Sequence, residues 1–421
     1  MTPDAAARRL VRSPLLHRLA AAVGDAAFLV GGALRDRLLG HPSRDVDLVV
    51  ERDSAGAAHR LAVALGGHAF PLGKAPLVTW RVVAGRQQVD VWEIAGSLET
   101  DIWRRDLTVN AIFWRLPRGP LFDPTGGLAD LAARRLCVVR PGNLDDDPLR
   151  VLRAVRLMST HPTLAMTAEA ERTVANAAPG LATVARERIL DELHHLLAGP
   201  GVGKALAVAE RLGVLANLSP AWARWPALSA ISGRATSLAD LQGRSRGFLR
   251  AGAAMVAPAL LAAPAAGFPD SWDASRAAAA LGGIGYPTRA ADGIARAAGL
   301  GEALVRLQGR RADVRAVAAD AADLLPAALA WAVAADPMWL TLAPGVWRWR
   351  QVFERRHRLL DGAEIAGLLG LPPGTLRAEA VRALRLAEAR GEVRTQLQAE
   401  RHLREWQGRR ADALLPSSDR C

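Results

Sequence analysis

Residues 28–51 read FLVGGALRDRLLGHPSRDVDLVVE, and the rest of the chain is organised around them. Phe28-Leu29-Val30 is a short apolar strand, and Gly31-Gly32 breaks it without side chains. Ala33 to Leu39 then has the pattern of one or two helical turns that end at Gly40. After a turn through His41-Pro42-Ser43, Asp45-Val46-Asp47 opens a second apolar strand, Leu48-Val49-Val50. Side chains at i and i+2 of a strand share a face, so Asp45 and Asp47 project together with Val46 turned to the core.

Two carboxylates side by side repel each other unless a cation sits between them. Hard divalent ions such as Mg2+ take all-oxygen sites of this kind, completed by water and substrate phosphates. The glycine turn just before the pair offers backbone N–H groups, with Arg35 one helical turn on, and that suits a polyphosphate. Alone, Asp-x-Asp is a common solvated strand start. With Gly-Gly-x-x-Arg-Asp at this spacing it favours a metal–triphosphate site. A dinucleotide-binding turn fits poorly, because G-x-G-x-x-G is absent and the next strand comes too soon.

At 421 residues, half of them hydrophobic, the chain has room for two or more domains with real cores. No apolar run reads as long and charge-free enough to span a bilayer. The start, MTPDAAARRLVRSPLLHRL, is amphipathic and lacks a signal-peptide core, so a cytoplasmic enzyme with no membrane partner is the expectation. Cys137 and Cys421 are the only cysteines, which excludes a disulfide framework or a cysteine-rich zinc site. The net charge is +12, nearly all from arginine, and a polyanion is its natural partner.

The stretch 28–51 resembles the head of the class II tRNA nucleotidyltransferase and bacterial poly(A) polymerase family. Further motifs extend the likeness: Arg104-Arg105-Asp106-Leu107-Thr108-Val109-Asn110-Ala111, Asp123-Pro124-Thr125-Gly126-Gly127, and Asp146-Asp147-Pro148-Leu149-Arg150. The resemblance implies an α/β polymerase-beta-like palm head followed by an all-α neck, body and tail. The boundaries expected are 1–140 for the head, 141–200 for the nucleotide-selecting neck, 201–340 for the body and 341–421 for an RNA-binding tail. Residues 1–27 read as a helix against the head. Strands are expected near His68–Leu72, Pro76–Val83 and Val89–Ile94, with a turn at 85–88, and a last head strand near Leu136–Val139. From 199 onward the pattern is helical.

The same resemblance implies a reaction and its residues. CMP or AMP is transferred from CTP or ATP to the 3′ end of a tRNA, using two Mg2+ ions. Asp45, Asp47 and Asp90 are the catalytic and metal-holding carboxylates, Asp90 being the palm's third acid. Gly31, Gly32, Arg35, Arg104, Arg105, Asp106, Asn110, Asp147, Arg150, Arg153 and Arg156 are the nucleotide-binding set. Asp147 accepts from the exocyclic amine that cytosine and adenine share, while Arg150 donates to the ring nitrogen beside it. Uracil and guanine present the opposite order and leave buried groups unpaired, at about 1–3 kcal/mol or more. Asp145 to Arg156 reads as one helix start. The strand after Asp90 carries Glu93-Ile94-Ala95-Gly96 where the family usually has an arginine. His194-His195 reads as a helix-face pair. Trp347-Arg348-Trp349-Arg350 fits either an RNA contact or a helical core. Alternatives are a CC-adding or A-adding enzyme, a poly(A) polymerase, or a catalytically idle RNA-binding relative.

Overall fold

The computed structural model describes residues 10–24, 27–41, 45–73, 78–94, 96–218, 228–245, 247–355 and 358–414. The chain divides into two compact units, 1–196 with 204–223, and 197–203 with 224–421. The first holds a seven-stranded sheet with the order β3-β4-β5-β2-β1-β6-β7. Its strands are β1 (Ala27–Val30), β2 (Asp45–Val50), β3 (His68–Leu72), β4 (Thr79–Ala84), β5 (Gln87–Glu93), β6 (Phe113–Arg115) and β7 (Leu121–Phe122). Only β2 and β5 run parallel; every other pair is antiparallel.

The helices follow from local chemistry. α1 (Pro14–Val23) is capped by Ser13 and has proline in its first turn. The helix expected over 1–27 is broken within the described residues: Leu10–Val11 are helical, Arg12–Ser13 interrupt, α1 follows, and Ala27 belongs to β1. α2 (Gly31–Leu39) begins at Gly31 itself, two residues earlier than its apolar pattern, and stops where Gly40 adopts the left-handed conformation. α3 (Ser54–Leu65) starts at Asp53, whose carboxylate accepts from the Gly56 amide, and packs on β3, β4 and β5. Leu29, Leu48, Val49, Val89 and Val91 are all fully buried in the sheet's core. Each such side chain contributes about 1.5–3 kcal/mol, enough to hold the register.

Two expectations fail in this unit. No strand of the sheet lies at Leu136–Val139: Arg135–Leu136 pairs instead with Ala165–Met166 in a separate two-stranded ribbon, and β7 ends the sheet. Nor is Asp145–Arg156 one helix. α4 (Leu98–Trp103) and α5 (Gly127–Ala132) precede it, then α6 (Gly142–Asp146), an extended Asp147, and α7 (Leu149–Thr160). A residue before proline is pushed out of the helical region, and Pro148 does this to Asp147 (φ −141°, ψ 90°). α8 (Ala168–Ala177) and α9 (Arg186–Leu197) complete the part that matters here.

The regular elements of the second unit are all helices among its described residues. Its most buried helix is Leu325–Ala335, where Trp331 Nε1 donates to Glu302 and Arg234 pairs with the same carboxylate. The run Arg311–Ala335 does reach the length and hydropathy of a bilayer span, contrary to the sequence expectation, yet 61% of that window is buried inside the fold. The run is also interrupted near Ala322 (φ +47°), so it is a pair of core helices. Trp347 stacks on Phe248 and Trp349 on Phe353, both at 4.9 Å, and Arg350 is buried with its Nε donating to the Ala318 carbonyl. These contacts favour the core reading of the Trp-Arg repeat. Arg356 and His357 lie outside the described residues.

Candidate active site

Strand register builds the first corner of the site. The parallel β2–β5 pair sets Asp47 directly beside Asp90, and Asp45 lies two residues up the same face of β2. A cleft of about 950 Å3 opens there. Gly31, Gly32, Arg35, Asp45, Asp47, Asp90, Arg104, Arg105, Asp106, Asn110, Arg150, Arg153 and Arg156 all line it. Of the residues singled out in the sequence, Asp147 alone is not in that lining.

Asp47 is half-buried, and loss of water pushes its carboxyl up to about 6; the Asp90 and Asp45 charges add to this, against Arg105 and the Ala33 amide. Gly31 is required here twice over. Its φ of +64° is a glycine conformation, and a Cβ would sit 3.2 Å from Asp47 Oδ2. A carboxylate disfavoured by its own neighbours, among oxygen donors only, fits a hard divalent cation. Asp90 is turned away from that task, because both its oxygens accept from Arg81, by Nε and Nη2 at 2.8 Å each. Accordingly, no three acidic, histidine or cysteine side chains close on one point among the described residues.

The second corner is cationic. Asp101, wholly buried in α4, holds Arg104 at 2.5 Å and Arg105 at 2.9 Å through its two oxygens. Arg105 also lies over Trp92 and Phe113, 5.5 and 5.0 Å from the ring centres. Its Nε is buried with no hydrogen-bond partner, an orphaned donor that an anionic oxygen would satisfy. Arg35 is set by Asp36 (Nε to Oδ1, 2.8 Å) and donates from Nη1 to Asn110 Oδ1 at 2.6 Å. Asn110 in turn donates to Asp106, whose carboxylate also takes the Leu107 amide. Burial alone would raise the Asp36 carboxyl, but His161 and Arg35 outweigh it and hold it below its ordinary value.

The third corner is built from α7 and α9. Arg150 donates from Nη1 to the Asn143 carbonyl at 2.7 Å, and burial pulls its proton affinity down. Its ion pair with Asp147 is a long 4.0 Å, whereas Arg188 of α9 bonds both Asp147 oxygens at 3.1 and 3.2 Å. Arg153 and Arg156 share Glu192, at 3.0 and 2.8 Å. His195 Nδ1 meets the Asp191 carbonyl of its own helix.

Sequence reasoning missed the partners of the chosen residues. Asp101 had a signal, since it stands three and four positions before two arginines, the helix spacing for ion pairs. Arg81 had one as well, because a two-residue turn at Gly85-Arg86 puts it opposite Asp90. Reading 85–88 as the turn shifted that register. Local spacing gave no signal for Arg188 and Glu192, some 40 residues from their partners; only the likeness of Glu187-Arg188-Ile189 and Glu192-Leu193 to a family segment beside the nucleotide helix did.

A mixed sheet that sets paired aspartates against a glycine turn and an arginine cluster defines a nucleotidyltransferase head. The sequence profile of the poly A polymerase head domain matches residues 27–91 and 75–137. The CC-adding tRNA nucleotidyltransferase of Geobacter sulfurreducens is 32% identical over 432 residues, which is 92% of this chain and 94% of the relative. The A-adding tRNA nucleotidyltransferase of Deinococcus radiodurans is 43% identical over 196 residues, but only 45% of this chain and 44% of that relative are matched. Among solved structures, a CCA-adding enzyme in complex with ATP superimposes with a TM-score of 0.65 at 20% identity, over 97% of this chain and 96% of that one, a likeness of fold. The chain belongs to the tRNA nucleotidyltransferase and poly(A) polymerase family.

Proposed function

We propose that the chain adds CMP and AMP, from CTP and ATP, to the 3′ end of tRNA without a nucleic-acid template, completing CCA. The observation that carries this reading is the β2–β5 register, which sets Asp47 beside Asp90 with Asp45 two residues along β2, in a cleft that Arg35, Arg104, Arg105 and Arg150 also line. In the reaction the terminal hydroxyl oxygen bonds to the α-phosphorus and loses its proton. The bond to the bridging oxygen breaks, and pyrophosphate leaves.

Two Mg2+ ions held by Asp45 and Asp47, with Asp90 on one of them, would activate the attacking hydroxyl and offset charge on the leaving phosphates. The chain's own groups do the rest. The Gly31-Gly32 turn, Arg35, Arg104 and Arg105 bind the triphosphate, and Asp101 and Asp36 keep those guanidiniums aimed so that little reorganisation accompanies charge development. Asp106 orients Asn110 toward the sugar–phosphate end. Asp147 and Arg150 read the base edge, with Arg153 and Arg156 lining the wall beyond. We assign residues 1–140 as head, 141–200 as neck, 201–340 as body and 341–421 as RNA-binding tail, in a cytoplasmic enzyme.

A second reading stops at CC. It is favoured by a short connection, residues 94–97 between β5 and α4, which would reorganise less easily from C to A, and by the CC-adding activity named for the Geobacter relative that spans the chain. A time course on tRNA ending at the discriminator base, at C and at CC separates the two. Extension of all three, finishing at A, supports CCA addition, and arrest at CC supports the second reading. Failure to extend any of them, with each nucleoside triphosphate tested, overturns both.

A further inference from the structure

The third acid of the site is occupied by a cation already, and that cation is a side chain. Arg81 and Asp90 face each other across the antiparallel β4–β5 hairpin, while Asp90 faces Asp47 across the parallel β2–β5 pair. Residue 90 is therefore shared between a carboxylate neighbour on one strand and a guanidinium on the other. The guanidinium has it: Nε and Nη2 bond one carboxylate oxygen each, both at 2.8 Å, the fork that planar guanidinium and carboxylate make best. Asp90 favours the charged Arg81 most, and the charges of Asp45 and Asp47 add to it. Arg81 thus lies in the field of all three acids, while Arg105 offsets Asp47. Its side chain is 33% exposed, so its release to water is cheap, whereas Asp90 is 18% exposed and stays.

We propose that Arg81 is a latch on the third carboxylate, competing with a divalent cation for Asp90 and giving way when the ion binds. This rests on the metal site argued above. Arg81 is a positioning residue in this role, acting on the reaction only through Asp90.

The test is Mn2+ binding by the full chain without nucleotide, followed by calorimetry or by loss of the free-ion paramagnetic resonance signal. Arg81→Gln should bind Mn2+ roughly two- to fivefold more tightly than the parent, the range expected on removing a well-formed, partly exposed competing pair. Arg81→Lys keeps the charge and the aliphatic stem but cannot fork, so its affinity should fall between the two. In an Asp90→Asn background, Arg81→Gln should change nothing. Unaltered Mn2+ affinity in both Arg81 variants overturns the latch, and so does a gain that persists without the Asp90 carboxylate. Should Arg81→Gln fail to fold by circular dichroism, Arg81→Lys decides alone. Asp47→Asn checks the underlying site separately: if it binds Mn2+ as the parent does, the metal reading itself is wrong, whatever Arg81 does.

Discussion

The acidic corner at Asp47 and the Asp147–Arg150 corner are held by opposite means. At Asp47 the fold sets like charges together and removes water, so the carboxyl is pushed up to about 6. At Asp147 the fold supplies a counter-ion from another helix, with Arg188 on both oxygens at 3.1 and 3.2 Å. One corner is under electrostatic tension; the other is already satisfied and, under the proposed function, exchanges partners to read a base. Removing a charge at the first should relieve the protein and ruin the chemistry. At the second it should leave the chemistry running and blur the choice of nucleotide.

The largest effect is expected at Asp47. Asp47→Asn should lower nucleotide addition by about 10^3-fold, as loss of a central charge-handling group does, while RNA binding survives. Stability should move the other way. A carboxyl whose folded value is about 6 against 3.8 costs the native state on the order of 3 kcal/mol when ionised, fully above pH 6 and not at all below 3.8. In chelator, Asp47→Asn should therefore melt at a higher temperature than the parent at pH 7.5, with the gap closing toward pH 4. A variant less stable than the parent at pH 7.5 would show that the tension is absent.

Asp101→Ala tests the cationic wall. It leaves Arg104 and Arg105 facing each other around a wholly buried vacancy, so about 3–5 kcal/mol of stability should go, read by urea unfolding. Below that comes Arg150→Ala. The CTP and ATP preference over UTP and GTP should shrink by the ~1–3 kcal/mol of one buried hydrogen-bonding mismatch, measured by competition. Lost stability with preference intact would make α7 a structural element only.

How far these corners were legible depended on the distance over which each is built. β1, the Gly40 stop and the Asp45–Asp47 face follow from neighbours in sequence, and the period-2 pattern carried them. Asp90 was found because strand and motif agreed. Its clamp was not, because a turn read over 85–88 moves the hairpin register, and register decides what faces what. The break at Asp147 was legible in principle, since Pro148 disfavours a helical residue before it, yet the acidic run was read as a helix start. Leu136 looked like a sheet strand and pairs with Met166 instead, a contact between separate stretches of chain that no local pattern reports.

The smallest effect expected sharpens the comparison most. Arg188 is half exposed and bonds Asp147, whose side chain is 24% exposed. An ion pair so placed contributes ~0.2–1 kcal/mol, which sets the scale for everything Arg188 does. Arg188→Ala should thus weaken base discrimination by about two- to fivefold, well short of Arg150→Ala. The pair is screened by salt, so raising ionic strength toward 1 M should erode the parent's discrimination and leave the variant's nearly unchanged. Arg188→Lys should restore part of the preference, because a point charge near Asp147 survives although the double contact does not. Equal losses in Arg188→Ala and Arg150→Ala would mean that α9 shapes the whole corner rather than one carboxylate. No loss at all would mean that Asp147 takes its place without help, and the contrast with Asp47 would then rest on burial alone.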